Sequence, residues 1–476
     1  LSVSAFNSSQ IEALKVRDLN DLSVGMPNVT LQDVGTSRGT ANFSIRGLAV
    51  NSSIPSIDPT VGVFVNGVYL GTNNGVIFDT FDLESIEVLR GPQGTLFGRN
   101  TTGGAILLNT TKPGDSLEAS FRTAIETGDI GGINTYYMGA VGGPITSDIG
   151  GRLVLYYNDD DGQLENDFTG DDVLAIEQTM ARGTLTWTPG DRTDITLRYE
   201  YLDIDGDGPQ AQTHTNGSGV PGNFVNFKRD SFDLSIDEQG SQESETNFFT
   251  AQWDQGIGFG DGMITAIYGY RDLSQAGVGD IDAQPVWIFH APSWLEVTSN
   301  SFELRYNGTF ADRANVTVGT YYFDQDMDYH ERRDLIGVAL NASGIFDQPA
   351  VRQDGGGEHD TESYTVFAQV DYDLTEHWTV TAGVNYSSED KDVSIASLAL
   401  NTSQFPALTE CNIVNGPACT YDFVDDESWD NWAPKLGVTY HIDDQQSIYT
   451  HWTRGSRSGG CYLRNTSPGP RDTPGP

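Results

Sequence analysis

No run of about eighteen consecutive apolar residues occurs anywhere in the chain, which excludes transmembrane helices. Positive charge is scarce as well. Only 26 lysines and arginines face 67 aspartates and glutamates, a formal charge of −41 over 476 residues. Nucleic acid is therefore not expected as a partner, because binding phosphate requires a cationic surface. Such a surface suits a bath of divalent cations, or one that repels anions. The N-terminus, LSVSAFNSSQ, lacks the basic n-region and apolar h-region of a signal peptide, so the chain reads as cytosolic or as a mature or trimmed form. Catalytic signatures are missing: there is no GxSxG, no HExxH and no P-loop. The seven histidines, at 214, 290, 330, 359, 377, 441 and 451, have no metal-ligand spacing between neighbours. Neither an enzyme nor a resident cofactor is expected.

Cysteine is almost absent. Cys411 and Cys419, with seven residues between them in the polar stretch ECNIVNGPACT, form one pair, and Cys461 stands alone. The spacing matches no common zinc pattern. A local disulfide formed in an oxidising compartment is the expectation, with three free thiols as the alternative.

Glycine and aromatic residues, in contrast, are plentiful: 54 glycines, and 11% aromatics. Mean hydropathy is −0.36, which leaves a transmembrane β-barrel open, since its strands turn only alternate residues toward lipid. Much of the organisation centres on Phe81 to Pro113, FDLESIEVLRGPQGTLFGRNTTGGAILLNTTKP. A break at Gly91-Pro92, turns at Gly98 to Asn100 and Gly103-Gly104, and an apolar strand from Ala105 to Leu108 suit backbone that turns sharply and packs closely. Before this stretch the pattern is mixed. Ser9 to Glu12 reads as a capping box for a short helix, and Asp18 can cap a second that ends by Pro27. Strands are expected at Asn42 to Arg46 and Val61 to Leu70, the latter folded back at Asn66-Gly67.

From Ser116 onward the chain alternates strictly. Tyr364, Val366, Ala368, Val370 and Tyr372 form one apolar row, and Trp378, Val380, Ala382, Val384 and Tyr386 another, with polar residues between. Roughly thirteen such segments of about ten residues can be counted, the length a tilted strand needs to cross a bilayer. Short turns at Pro189 to Asp191, Ala311-Asp312, Thr375-Glu376 and Asp443-Asp444 alternate with long acidic loops at about 204–244, 273–297, 326–360 and 390–428. That asymmetry, with aromatic strand ends, predicts a transmembrane antiparallel β-barrel, with a soluble sandwich or propeller as the alternative. The last residues, GPRDTPGP, are loop-like. An open sheet edge in lipid leaves backbone groups unsatisfied, so further strands, or another chain, are expected to close it.

The motifs NFSIRG (42–47), VGVFVNGVY (61–69) and IEVLRGPQGTLFGRNTTGGAILLNTTKP (86–113) resemble the plug domain of TonB-dependent receptors. SWDNWAPKLGVTYHID (428–443) and SIYTHWTRGSRSGG resemble mid-barrel strands of the same family. Three features depart from the family pattern: Asn66 where Asp is common, Cys461 where an aromatic is common, and neither a TonB box nor the last strands of a 22-stranded barrel. The resemblance implies a mixed α/β plug at 1–114 inside the N-terminal part of a barrel at 115–476. It also implies an outer-membrane location in a Gram-negative bacterium, surrounded by lipid and lipopolysaccharide. The implied activity is import of a scarce small molecule, by default a ferric siderophore, driven by TonB with ExbB and ExbD. A glycan, cobalamin, a peptide or an aromatic compound is an alternative cargo, and a passive surface receptor or adhesin is an alternative role.

Arg90 and Arg99, with Glu84 and Glu87, are the candidates for locking the plug to lumen-facing partners, the alternative being arginines satisfied within the plug. Substrate contact is expected from Asn51, Ser52, Ser53, Thr72, Asn73 and Asn74, in segments that point outward in the family. Asp203, Asp205 and Asp207 open like an EF-hand loop, but His214 stands at position twelve, so calcium is a weak expectation.

Overall fold

Residues 2–110 of the computed structural model form an inner domain of two small sheets. The described residues of the whole chain are 2–23, 25–50, 52–77, 81–127, 132–214, 225–228, 230–335, 338–341, 344–347, 351–397, 401–402, 411–416, 418–443 and 445–464. One sheet comprises β1 (Ser2–Asn7), β5 (Val61–Val65), β6 (Val68–Tyr69), β7 (Leu83–Arg90) and β8 (Gly104–Thr110), in the order β1-β7-β8-β5-β6. The other comprises β2 (Val29–Val34), β3 (Ser37–Ile45) and β4 (Leu48–Ala49). Helices α1 (Ser8–Ala13), α2 (Leu19–Ser23) and α3 (Gly94–Phe97) are short. Leu19, Leu22, Leu31, Ile45, Ile86, Ile106 and Leu108 make the core between the sheets.

Local signals explain most of these elements. Asn66 and Gly67 both adopt positive φ, 50° and 86°, as the tight turn between β5 and β6 requires. Asp18 caps α2 through its Oδ1, which accepts the Asp21 N–H at 3.2 Å. The first cap is not at Ser9. Asn7 caps α1: its side chain accepts the Gln10 N–H at 3.0 Å, and the Gln10 side chain accepts the Asn7 N–H at 3.0 Å. Asn is as strong an N-cap as Ser, so the capping box closes two residues earlier.

Gly104 shows why the stretch is rich in glycine. A Cβ there would collide with the Leu89 carbonyl oxygen and lie 2.7 Å from Ile45 Cδ1. Gly104→Ala is expected to destabilise the inner domain by about 1–3 kcal/mol. Limited proteolysis of the protein reads this directly; an unchanged cleavage rate would refute the tight packing.

Among the described residues from Glu118 onward, thirteen long strands form one up-and-down antiparallel sheet, each bonded to the next long strand, with short strands Phe289–His290 and Asn401–Thr402 added at its rim and two small hairpins beside it. The first is Glu118–Thr127 and the last Ser447–Thr453, and these two edges do not pair with each other, so the wall is an open arc. Its twelfth strand is broken into Phe423–Trp432 and Lys435–His441, which pair with successive parts of Trp378–Ser397. Pro434 lacks the N–H a continuous ladder would use.

Burial runs opposite to that of a soluble sandwich. On strand Val351–Thr375, Thr361, Ser363, Thr365 and Gln369 are buried, while Tyr364 and Val366 are 52% and 55% exposed. Polar residues thus face the lumen and apolar ones face outward, the arrangement of a membrane barrel wall. Tyr364 and Tyr372, like Trp378 and Tyr386, are eight residues apart, about 27 Å along a strand, which matches the height of an outward apolar band between aromatic girdles.

Most strands are longer than their alternation suggested. They run from 7 residues (Ser447–Thr453) to 25 (Val351–Thr375), and the longest extend well into stretches that read as loops. Beyond the apolar band both faces of a strand are wet, so alternation disappears while backbone pairing continues. Asp203 and Asp205 are corrected by this. They lie within the strand Thr193–Gly206, where no EF-hand loop can form. Asp207, just beyond it, uses its carboxylate to accept from the Ala175 N–H at 2.8 Å and from Gln239 Nε2 at 3.0 Å. Cys411 and Cys419 are joined as a disulfide and Cys461 is free.

Candidate ligand recess and plug latch

The long-loop end of the lumen holds a recess of about 220 Å³. Its floor is the top of the inner domain: Arg38 at the start of β3, Ser53, and Asn74 in the turn after β6. Its walls come from strand ends and connecting segments, including Gln242, Gln275, Phe289, Glu331, Arg333 and Arg464. Hydrogen bonds tie floor to wall. Asn74 Nδ2 donates to Gln275 Oε1 at 3.0 Å and to Thr40 Oγ1 at 3.1 Å. Arg271, from strand Gly262–Val278, donates to the carbonyls of Leu70, Asn74 and Gly75 at 2.9–3.0 Å and so clamps the turn that carries Asn74.

Among the described residues, three guanidinium groups and one carboxylate line this recess, so the lining carries a net charge of +2 in a chain of −41. Glu331 pairs with Arg333 at 2.8 Å and with Arg464, whose Nη2 also donates to Ser53 Oγ at 3.0 Å. Arg38 Nη1 donates to the carbonyls of Ala175 and Asp207 at 3.3 and 3.1 Å. Burial pulls its pKa below the usual arginine value, against the pull of Asp33, Asp207 and Asp160.

Of the residues expected to touch substrate, Ser53 and Asn74 line the recess. Thr72 is buried beneath and donates to Asn74 Oδ1 at 3.4 Å. Asn73 uses its carbonyl to accept the Ala41 N–H at 2.8 Å, and Ser52 Oγ accepts the Ile54 N–H at 3.1 Å; neither lines the recess. Asn51 lies outside the described residues. The arginines had a weak signal only, the polar turn Thr36-Ser37-Arg38 and the paired Arg332-Arg333, because nothing in the sequence says that residues 38, 333 and 464 meet.

A second constellation fastens the inner domain to the wall. Arg99 pairs with Glu389 at 2.5 Å, and Lys391 pairs with Asp58 at 2.5 Å and with Glu389 at 3.2 Å. Arg99 and Asp58 belong to the inner domain, Glu389 and Lys391 to strand Trp378–Ser397, and the four side chains are 4–11% exposed. Asn100 joins them, donating to Asp58 Oδ1 at 2.7 Å and accepting the Ser458 N–H at 3.0 Å. Burial opposes ionisation of Asp58, but Lys391 and then Arg99 outweigh it and hold the carboxyl below the ordinary carboxylate range. On the opposite wall Arg152 Nε donates to Asp82 Oδ2 at 2.7 Å, with a second N–O contact making the pair bidentate.

The other three expected locking residues behave differently. Arg90 Nη2 donates to Ser4 Oγ, from β7 to β1, so its contact lies inside the inner domain, while its Nε is buried without a partner. Glu84 feels Arg198 of the wall electrostatically without an ion pair, and Glu87 makes no ion pair among the described residues. Edge-strand pairing explains Arg90: residues 2 and 90 are register partners, which brings its side chain over β1. Beside the latch, a cavity of about 380 Å³ lined by Tyr69, Arg99, Glu303, Arg305 and Tyr321 separates inner domain from wall.

A wall of outward-apolar, inward-polar strands around a folded domain that is ion-paired to it defines a plugged outer-membrane barrel. The plug-domain model of TonB-dependent receptors matches residues 1–105, and the TonB-dependent receptor-like β-barrel model matches residues 120–470. The chain belongs to the TonB-dependent receptors of the Gram-negative outer membrane, a family of transport receptors. It is 34% identical over 171 residues to a pesticin receptor of Yersinia pestis, covering 35% of this chain and 24% of that protein. It is 22% identical to a ferric-pyoverdine receptor of Pseudomonas putida across 99% of this chain and 56% of that protein. The same fold occurs in the ferric yersiniabactin uptake receptor FyuA of Yersinia pestis, with a TM-score of 0.75 at 18% identity over 98% of this chain and 66% of that one. The chain spans about half the length of the pyoverdine receptor and two thirds of FyuA.

Proposed function

We propose that the full-length receptor imports a ferric siderophore, and that the recess above the plug is where the siderophore binds. The observation that carries this reading is the charge of the recess: +2, built from Arg38, Arg333 and Arg464 against Glu331, inside an otherwise strongly acidic chain. Such a site attracts an anionic ferric chelate by concentrating cationic donors where water is partly excluded. Relatives named for ferric pyoverdine and ferrioxamine B support the same cargo class. Cobalamin and neutral glycans could accept hydrogen bonds from the guanidinium groups but would gain no net charge attraction from them.

TonB, energised with ExbB and ExbD, would supply the work. In this reading β1 is the mechanical weak point. It is an edge strand held to β7 by six residue pairs, so tension applied at Ser2 across the strand would peel the pairs in succession. Outer-membrane lipid and lipopolysaccharide would surround the aromatic girdles. The test is uptake of radiolabelled iron by cells carrying the full-length receptor as their only siderophore receptor. Uptake of an anionic ferric siderophore that requires TonB is the expected result. Binding without TonB-dependent uptake would favour a passive surface receptor, and TonB-dependent uptake of cobalamin or a glycan instead would overturn the cargo.

A further inference from the structure

The connecting segments above the wall bring together a second group of polar side chains, outside the recess lining. Asp280 and His290 face each other across a short antiparallel bridge. The Ile281 N–H donates to the Phe289 carbonyl at 3.0 Å, and the Ala291 N–H to the Gly279 carbonyl at 3.1 Å. Asp237 arrives from another segment, anchored by its own N–H to the Gln284 carbonyl at 3.2 Å. The Asn166 side chain fixes the neighbouring Ile236 through both its N–H and its carbonyl, at 3.1 and 2.9 Å. One ligand atom each from Asp237, Asp280 and His290 lies within 4.8 Å of the other two. Among the described residues this is the group that converges in this way.

The carboxylates are under-used. Asp280 is only 2% exposed. Its Oδ1 accepts the N–H groups of Asp282 and Ala283 at 3.1 and 2.9 Å, but its Oδ2 is buried with no hydrogen-bond partner. Asp282 repeats the pattern: its Oδ2 accepts from the Ile288 N–H at 3.2 Å and the Phe289 N–H at 2.6 Å, and its Oδ1 is buried and unpartnered. A buried charged oxygen without a donor is costly, and a second and third carboxylate nearby make it worse. His290 is held in place by Trp287, whose ring stacks on it at 5.5 Å and 16°. Its Nε2 is 3.3 Å from Asp237 Oδ1.

We propose that Asp237, Asp280 and His290 bind a divalent first-row transition cation. A cation between them would give the buried Asp280 carboxylate the partner it lacks. Carboxylates with an imidazole suit Zn²⁺ and its neighbours, whereas Ca²⁺ takes six to eight oxygens and does not draw on imidazole. Bound there, the cation would staple the segment around Asp237 to the bridge that presents Ile281, Phe289 and Ala291 to the recess. Its role is thus to stiffen the rim of the recess. That role rests on the recess being the ligand site; the binding itself does not.

The experiment is calorimetry on the full-length receptor in detergent, without a polyhistidine tag, after removal of metals by chelation. Zn²⁺ is expected to bind one-to-one. Asp280→Asn and His290→Gln should each weaken it at least about tenfold, while His214→Gln leaves it unchanged. Cobalt in place of zinc should give visible absorption bands that both variants abolish, which separates loss of ligation from misfolding when circular dichroism is unchanged. No zinc binding at about millimolar metal would overturn the site, as would binding that survives both substitutions. Calcium bound as tightly as zinc would overturn the choice of cation. Failure of siderophore uptake with intact zinc binding would count against the cargo alone.

Discussion

Replacing Lys391 by Met in the full-length receptor is expected to destabilise the seated plug by about 3 kcal/mol and to open a leak. Lys391 is the cation shared by Asp58 and Glu389. Without it, two buried carboxylates are left with Arg99 as their one cation, and an uncompensated buried charge costs far more than the pair itself contributes. The double variant Asp58→Asn with Lys391→Met should therefore be more stable than Lys391→Met alone, because Arg99 and Glu389 remain a balanced pair. Bilayer conductance and thermal unfolding check both statements. Additive losses, or a single variant as tight as the parent, would show that the latch is not a coupled unit. The pH dependence has a definite sign. Asp58 is held below the ordinary carboxylate range, so its contribution is complete above about pH 4 and is lost only as pH falls through its lower folded value. Mild acid at about pH 5 should leave the plug seated.

Arg38→Ala and Arg333→Ala are each expected to weaken binding of an anionic ferric siderophore about 10- to 100-fold, the weight of one hydrogen bond between charged groups. Arg333→Ala leaves Glu331 paired with Arg464, so the recess keeps its shape while its charge falls. Arg38 sits on the plug and Arg333 on the wall, so losses from both variants would place the ligand across the junction between them. Quenching of intrinsic tryptophan fluorescence by the ferric chelate gives the affinity, and a neutral chelate serves as the comparison. Equal losses for both ligands would point to a collapsed site, and no loss for the anionic one would remove the electrostatic reading.

Much of the architecture was legible in the residues. A strand has a period of two, so the rows from Tyr364 to Tyr372 and from Trp378 to Tyr386 announce one lipid-facing side, and Asn66-Gly67 announces its own turn. Strand ends were not legible, because above the lipid band the acidic residues of Ala314–Leu335 pair through their backbones whatever their side chains are. In the latch, Arg99 was marked by its tight glycine-rich surroundings, but Asp58 stood in an unremarkable polar segment, 333 residues from Lys391. Arg90, in the same kind of surroundings, turned to Ser4 instead.

The order of apolar and polar residues thus determined a barrel wall, because hydrophobic periodicity is a local property that survives in one dimension; the plug and the class of protein were legible only through the resemblance of residues 42–47, 61–69 and 86–113 to a known family. Which charges meet was decided only in three dimensions. Coulomb energy depends on separation and on the water between two groups, and residues 58, 99, 389 and 391, like residues 38, 331, 333 and 464, acquire neither until the plug is seated inside the wall.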